Sequence, residues 1–251
     1  MEIFKSGNPV LSEKKFEGTV EGANQDVMTQ SGTVNKFGMM MVLLLASSAF
    51  TWKAAAEGKD IMSWMIGGAI GGLAIAIVLA FKPKWAAILA PLYALVEGLF
   101  VGGISAYYNS AFDAYAPNIV MQAVGLTFGV VIAMFILYRT GVIKATQRFK
   151  SIVFAATAGI AIFYLLAFVL RFFAIEMPLI HESTTMGIIF SLVVVAAAAL
   201  NLILDFDMIE QGAAMGAPKY MEWYGAFGLL VTIVWLYIEI LRLLSKFARR
   251  D

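Results

Sequence analysis

The chain has 251 residues, of which 61% are hydrophobic and only 14% charged, with a net charge of +1. A soluble domain carries about 25% charge and 45–50% apolar residues, so a water-soluble core is excluded, and the charge balance points to no nucleic acid or strongly charged partner. The absence of cysteine removes disulfides, thiolate metal sites and thiol catalysis together.

Residues 1–36 are polar and mixed in charge, with Gly7, Pro9, Gly18, Gly22 and Gly32 spread through them. They lack the basic start and short apolar block of a signal peptide, so they are expected to form a flexible polar arm, with the first span serving as its own insertion signal. Residues 37–251 read as one membrane domain. Seven continuous apolar segments follow one another, over 37–52, 61–81, 85–108, 118–138, 151–173, 185–206 and 223–245. A helix needs about 20 residues to cross a hydrocarbon layer of roughly 30 Å. The runs are continuous rather than alternating, which excludes a β-barrel and predicts an all-α, polytopic bundle.

Lys82-Pro83-Lys84, Ala116-Pro117-Asn118 and Met177-Pro178 punctuate the connections, where freed backbone groups reach water. Trp52, Trp64, Trp85, Tyr107, Tyr108, Tyr138, Trp223 and Tyr224 fall near predicted ends, the depth that amphipathic rings prefer. The connections are too short for a soluble catalytic domain. The loop 139–150 holds Arg139, Lys144, Arg148 and Lys150 without an acid, which places the N-terminus in the cytoplasm, although the basic tail at Lys246, Arg249 and Arg250 argues the other way.

Gly67 and Gly71, Gly68 and Gly72, Gly98 and Gly102, and Gly125 and Gly129 stand four apart, so each pair lies on one helix face. Such faces let backbones approach in lipid, either inside this bundle or between two copies.

The polar residues within the spans are the candidates for function, because a carboxylate at mid-bilayer costs roughly 2.5–3.5 kcal/mol even on the gentler scale. Glu97 lies near the middle of the third span beside Gly98, so it belongs at a helix contact, either as a neutral hydrogen-bonded group or in a proton or cation path. Asp205 follows Asn201 by four residues and shares its face. Asp207, on the opposite side, and Glu210 read as the solvated end of the sixth span. Glu239 precedes Arg242 by three residues, which suits a helical ion pair, while a carboxylate facing a cavity is the functional alternative. His181, between spans five and six, reads as a loop residue. No zinc-helix motif, nucleophile elbow, phosphate-binding glycine loop or activating histidine for Ser105 or Ser191 is present, so no enzymatic activity and no resident cofactor are expected. The Gly-x-Gly-Asp context of intramembrane aspartyl proteases is also missing.

Two segments carry a family resemblance. Leu204-Asp205-Phe206-Asp207-Met208-Ile209 and Trp235-Leu236-Tyr237-Ile238-Glu239-Ile240-Leu241 resemble the Bax inhibitor-1 (YccA-like) family, whose sixth helix ends in an Asp-containing motif and whose seventh carries Leu-Tyr-Leu-Asp-Ile or similar. The seven spans, short loops and Asn8-Pro9-Val10 before the first span are similar to its bacterial branch. The resemblance implies a bundle with the last helix central, in a bacterial inner membrane. It further implies a pH-sensitive calcium leak, with Asp205 and Glu239 as facing carboxylates that share a proton or transiently hold calcium. Some bacterial relatives modulate a membrane protease instead, which leaves a non-transporting regulator as the alternative. Glu239 stands where an Asp is usual. It is also 34 positions from Asp205 (239 − 205), so a facing pair requires part of 213–228 to be irregular or to lie along the interface.

Overall fold

The computed structural model describes residues 27–171, 173 and 183–249. His181, the Asn8-Pro9-Val10 segment and all of the arm before Val27 lie outside the described residues. The described chain is all-helical, with one isolated bridge between Val27 and Pro218 in place of any strand. Among the described residues, seven helices are long and apolar enough to cross a membrane. They are α1 (Gln30–Ala56), α2 (Met62–Phe81), α3 (Ala86–Phe112, entered through a 3₁₀ turn at Pro83–Trp85), α4 (Ile119–Arg139), α5 (Gln147–Arg171), α6 (Thr185–Ala214) and α7 (Met221–Ala248).

Most boundaries run past the apolar segments, because polar residues at a membrane helix end still propagate the backbone hydrogen bonds. The clearest case is α1, which begins at Gln30, so residues 30–36 are its opening turns and not part of the polar arm. Thr29 sets that start: its hydroxyl accepts from the Gly32 N–H at 3.0 Å, satisfying one of the four donors a helix leaves open. At the other end of the chain, α6 runs to Ala214 through the Asp207 and Glu210 region. Gly216 then takes φ +69°, Gly216 N–H donates to Ala213 O and Ala217 N–H to Gly212 O. This is the left-handed glycine stop that ends many helices, and Pro218 prevents resumption. Because α7 is regular from Met221, the irregular stretch expected somewhere in 213–228 is confined to 215–220.

By chain contacts the structure divides into two compact units. One comprises the residues up to Tyr107 together with Asp205–Val231, the other Tyr108–Leu204 with Thr232 onward. Burial is very uneven among the helices: 72% of the apolar window of α7 and 61% of that of α6 are buried, against 11% for α5. The last helix, expected at the centre, is thus the most buried of the seven.

Within the first unit the glycine faces explain the packing. A Cβ on Gly68 would meet the Phe100 N–H and Val96 carbonyl of α3, and one on Gly102 would fall on the Ser48 backbone of α1. Ser48 Oγ also donates to Gly98 O at 2.9 Å. Two of the glycine pairs therefore pack within this bundle, where close backbone approach replaces the hydrophobic drive. Gly125 and Gly129 on α4 meet nothing within 4 Å among the described residues. Trp64, Trp85 and Tyr107 are exposed near helix ends as expected. Tyr224, expected as an interfacial anchor, is instead fully buried with its ring 6.3 Å from that of Phe227, because the start of α7 packs against α1.

Overpacking costs about 1–3 kcal/mol. Gly102→Val is therefore expected to lower the melting temperature in detergent, while Gly129→Val leaves it unchanged; equal effects would contradict this packing.

Candidate functional site

The intramembrane carboxylates stand in different surroundings. On α6, Asp205 is completely buried and Asn201, one turn earlier, is 2% exposed. The Asn201 side-chain N–H₂ donates to Thr157 Oγ1 of α5 at 2.7 Å and to the Ala197 carbonyl at 2.8 Å. A carbonyl only accepts, so the group facing Ala197 must be the N–H₂, and the orientation of the amide is fixed by chemistry. Asp207 is half-buried and accepts from Gln211 Nε2 at 2.7 Å, inside a helix that continues beyond it. The solvated helix end expected at Asp207 and Glu210 lies further on, because α6 extends to Ala214.

On α7, Glu239 is 2% exposed, and both of its carboxylate oxygens accept hydrogen bonds. Arg242 Nη1 donates to both carboxylate oxygens, at 2.9 and 3.0 Å. The Tyr164 hydroxyl of α5 donates to the same oxygens at 3.1 and 3.2 Å and accepts from Arg242 Nη1 at 2.6 Å. The guanidinium also lies 5.2 Å over the Tyr164 ring and is hydrogen-bonded to Tyr108. One turn on, the buried Lys246 donates to the Gly187 carbonyl at the start of α6 at 2.9 Å. The i, i+3 ion pair read from the spacing of Glu239 and Arg242 is formed, and Tyr164 closes it into a triad. A carboxylate so held is neutralised within the protein, which is how a buried charge is tolerated.

On α3, Glu97 is buried with its carboxylate against Gly72 of α2, where no Cβ would fit, and is hydrogen-bonded to Tyr93 one turn earlier. It lies at a helix contact, as its neighbour Gly98 suggested. Asp205 belongs to the first unit and Glu239 to the second. Among the described residues no three His, Cys, Asp or Glu side chains gather in the manner of a metal centre.

One acid was not singled out in the sequence. Glu222, in the first turn of α7, has a completely buried side chain. Oε1 accepts from Thr29 N–H at 2.9 Å, from Thr29 Oγ1 at 2.8 Å and from Lys219 Nζ at 3.2 Å; Oε2 pairs with Lys36. Gly32 leaves the room that this carboxylate fills, and Lys36 also lies 5.4 Å over the Trp223 ring. Met28 N–H donates to Ala217 O at 2.7 Å beside it. An acid just inside a helix start ordinarily reads as a solvated dipole partner. Here it sits at two helix N-termini at once and fastens α1 to the α6–α7 turn. The only sequence trace was Thr29-x-x-Gly32 with Lys36 one turn further on.

Fold and site together define a multi-pass helical membrane protein, in contact with the lipid bilayer, with four acids buried on three of its helices among the described residues. The chain belongs to the Bax inhibitor 1 like family, whose model matches residues 8–249. No curated protein matches the chain.

Hydrogen bonds to charged groups contribute about 1.5–3 kcal/mol. Glu222→Ala should destabilise the protein by that order in a chemical-unfolding titration, and Glu222→Gln by less, since the amide oxygen still accepts from Thr29. No change in either variant would show that the clasp is incidental.

Proposed function

We propose that the protein is a non-enzymatic, passive and pH-regulated cation leak of the bacterial inner membrane, with its N-terminus in the cytoplasm and calcium among its cations. The observation that carries this reading is the complete burial of Asp205 in a membrane helix, one turn from Asn201 on the same face. A carboxylate in that position is costly, which makes it a functional candidate by default. Its hard anionic oxygens suit a hydrated divalent cation held transiently, and no resident cofactor is needed. Glu239 is the second acid of the mechanism. Arg242 and Tyr164 occupy it, so it sets a resting state in which its charge is already answered. A carboxylate that carries the passage makes that passage depend on pH, which is the pH-regulated part of the proposal.

The same neutralisation of Glu239 also favours a second reading, a non-transporting regulator that binds a membrane protease or another membrane protein. In that case the acids hold the bundle together and the segment before Val27 makes the contact. A truncation that tests this must end before Val27, because Met28 and Thr29 are bonded to the α6–α7 turn.

Calcium flux into liposomes carrying the purified protein, measured across a pH series, separates the two. Asp205→Asn should abolish the pH-dependent flux while the protein stays monodisperse. Flux identical to that of the unaltered protein would sink the assignment of Asp205.

A further inference from the structure

Most hydroxyl groups described within these helices find a carbonyl, either one turn earlier on their own helix or, for Ser48, on a neighbouring helix. Thr51 donates to Ser47 O at 3.2 Å, Ser105 to Val101 O at 2.6 Å and Thr127 to Ala123 O at 2.7 Å, each back to the carbonyl one turn earlier. That local bond is the ordinary way for a membrane helix to satisfy a hydroxyl. Ser191 is the exception. It is 1% exposed, and among the described residues none hydrogen-bonds to its Oγ. The carbonyl it would use, Gly187 O, accepts from the Lys246 ammonium instead.

Asn201 shows the same pattern ten residues later. Its N–H₂ is fully used on Thr157 and Ala197, and its buried Oδ1 receives no donor among the described residues. Flipping the amide cannot cure this, since two like acceptors would then face each other at the Ala197 carbonyl. A buried polar atom left in this state is costly and calls for water or an ion. At about 100° per residue, Ser191, Val194, Ala198 and Asn201 fall within an arc of about 80° on α6, and Asp205 lies in the same arc. Ser191 and Asn201 are about 15 Å apart along the axis, so they are separate stations.

Between the stations the surroundings are apolar. Val194 and Ala197 form a buried cluster with Ile160 of α5, and Tyr164, Phe190 and Trp235 pack against it. Tyr164 is the residue that Glu239 and Arg242 hold. Narrow apolar constrictions stop ions by excluding water, and hydroxyl and amide oxygens offer the ligands that hard hydrated cations prefer.

We infer that the buried face of α6 carries a path for water and small hydrated cations, with oxygen stations at Ser191 and Asn201 and a gate formed by the Ile160–Val194–Ala197 cluster that Tyr164 covers. The identity of the permeating ion rests on the cation-leak reading; the hydration of the two stations does not.

The test uses the lack of native cysteine, which makes any introduced thiol the only one in the chain. Ser191→Cys and Thr157→Cys are nearly isosteric and place thiols at the two stations. Ile189→Cys and Ala156→Cys, at exposed positions on the apolar surfaces of the same helices, are the controls. A charged, membrane-impermeant thiosulfonate needs a hydrated thiolate, which hydrocarbon surroundings suppress. In proteoliposomes the station thiols should react at least about tenfold faster than the controls, and Tyr164→Phe, which keeps the ring but removes its hydrogen bonds to Glu239 and Arg242, should speed modification of Val194→Cys. Station thiols no faster than the controls would overturn the path. Should they react while Asp205→Asn leaves calcium flux intact, the path stands and the calcium assignment falls. Inert stations beside an Asp205-dependent flux would leave the leak standing and remove this route.

Discussion

Charge in a medium that cannot solvate it is the constraint on which the structure depends. An ion pair broken in such surroundings leaves an uncompensated charge, a loss of about 3–5 kcal/mol. Glu239 is therefore enclosed by a cation on its own helix and a hydroxyl from another, and Glu222 by two lysines and the start of α1. In both places the ion pair does more than cancel charge. It fixes which helices meet, because few other arrangements bring the same donors to the same oxygens. Tyr164 belongs to α5, the least buried helix, and its bond to Glu239 ties α5 to α7.

Apolar surface does not select partners in a bilayer, since lipid tails cover it equally well. The helices of the first unit find each other through missing side chains instead. Gly68 and Gly72 admit α3 against α2, and Gly98 and Gly102 admit α1 against α3, close enough for Ser48 to bond a backbone carbonyl. Steric fit of this kind and the buried polar contacts reinforce one another: Gly72 makes room for the Glu97 carboxylate, and Gly32 for that of Glu222. On α6, two buried oxygens, Ser191 Oγ and Asn201 Oδ1, have no hydrogen-bond partner among the described residues.

The sequence made seven spans legible because the length of an apolar run is set by the thickness of the bilayer. It also made Glu239–Arg242 legible, since three residues of helix put the two side chains side by side. Ends were read less well: Gln30–Lys36 and Gln147–Lys150 are helical although hydropathy excludes them. Tyr164 could not be found, because its partner lies 75 positions away and no local pattern encodes that distance. Glu222 was hidden for the same reason, at 186 and 193 positions from Lys36 and Thr29. Tyr224 misled, because an aromatic near a helix start has the composition of an interfacial anchor whether it meets lipid headgroups or another helix. Sequence indicated which residues are costly in a membrane, and the fold supplied what answers them.

The central claim is that the charge of Glu239 is balanced within the membrane by the Arg242 guanidinium. A double-mutant cycle on Glu239→Gln and Arg242→Met, with unfolding free energies measured in the same detergent, tests it most directly. Each single change should cost more than the two together, with a coupling energy in the range of about 0.5–3 kcal/mol that contacting pairs show. Strictly additive effects would mean that the two side chains do not answer one another, and the constraint placed at the centre of this structure would fail.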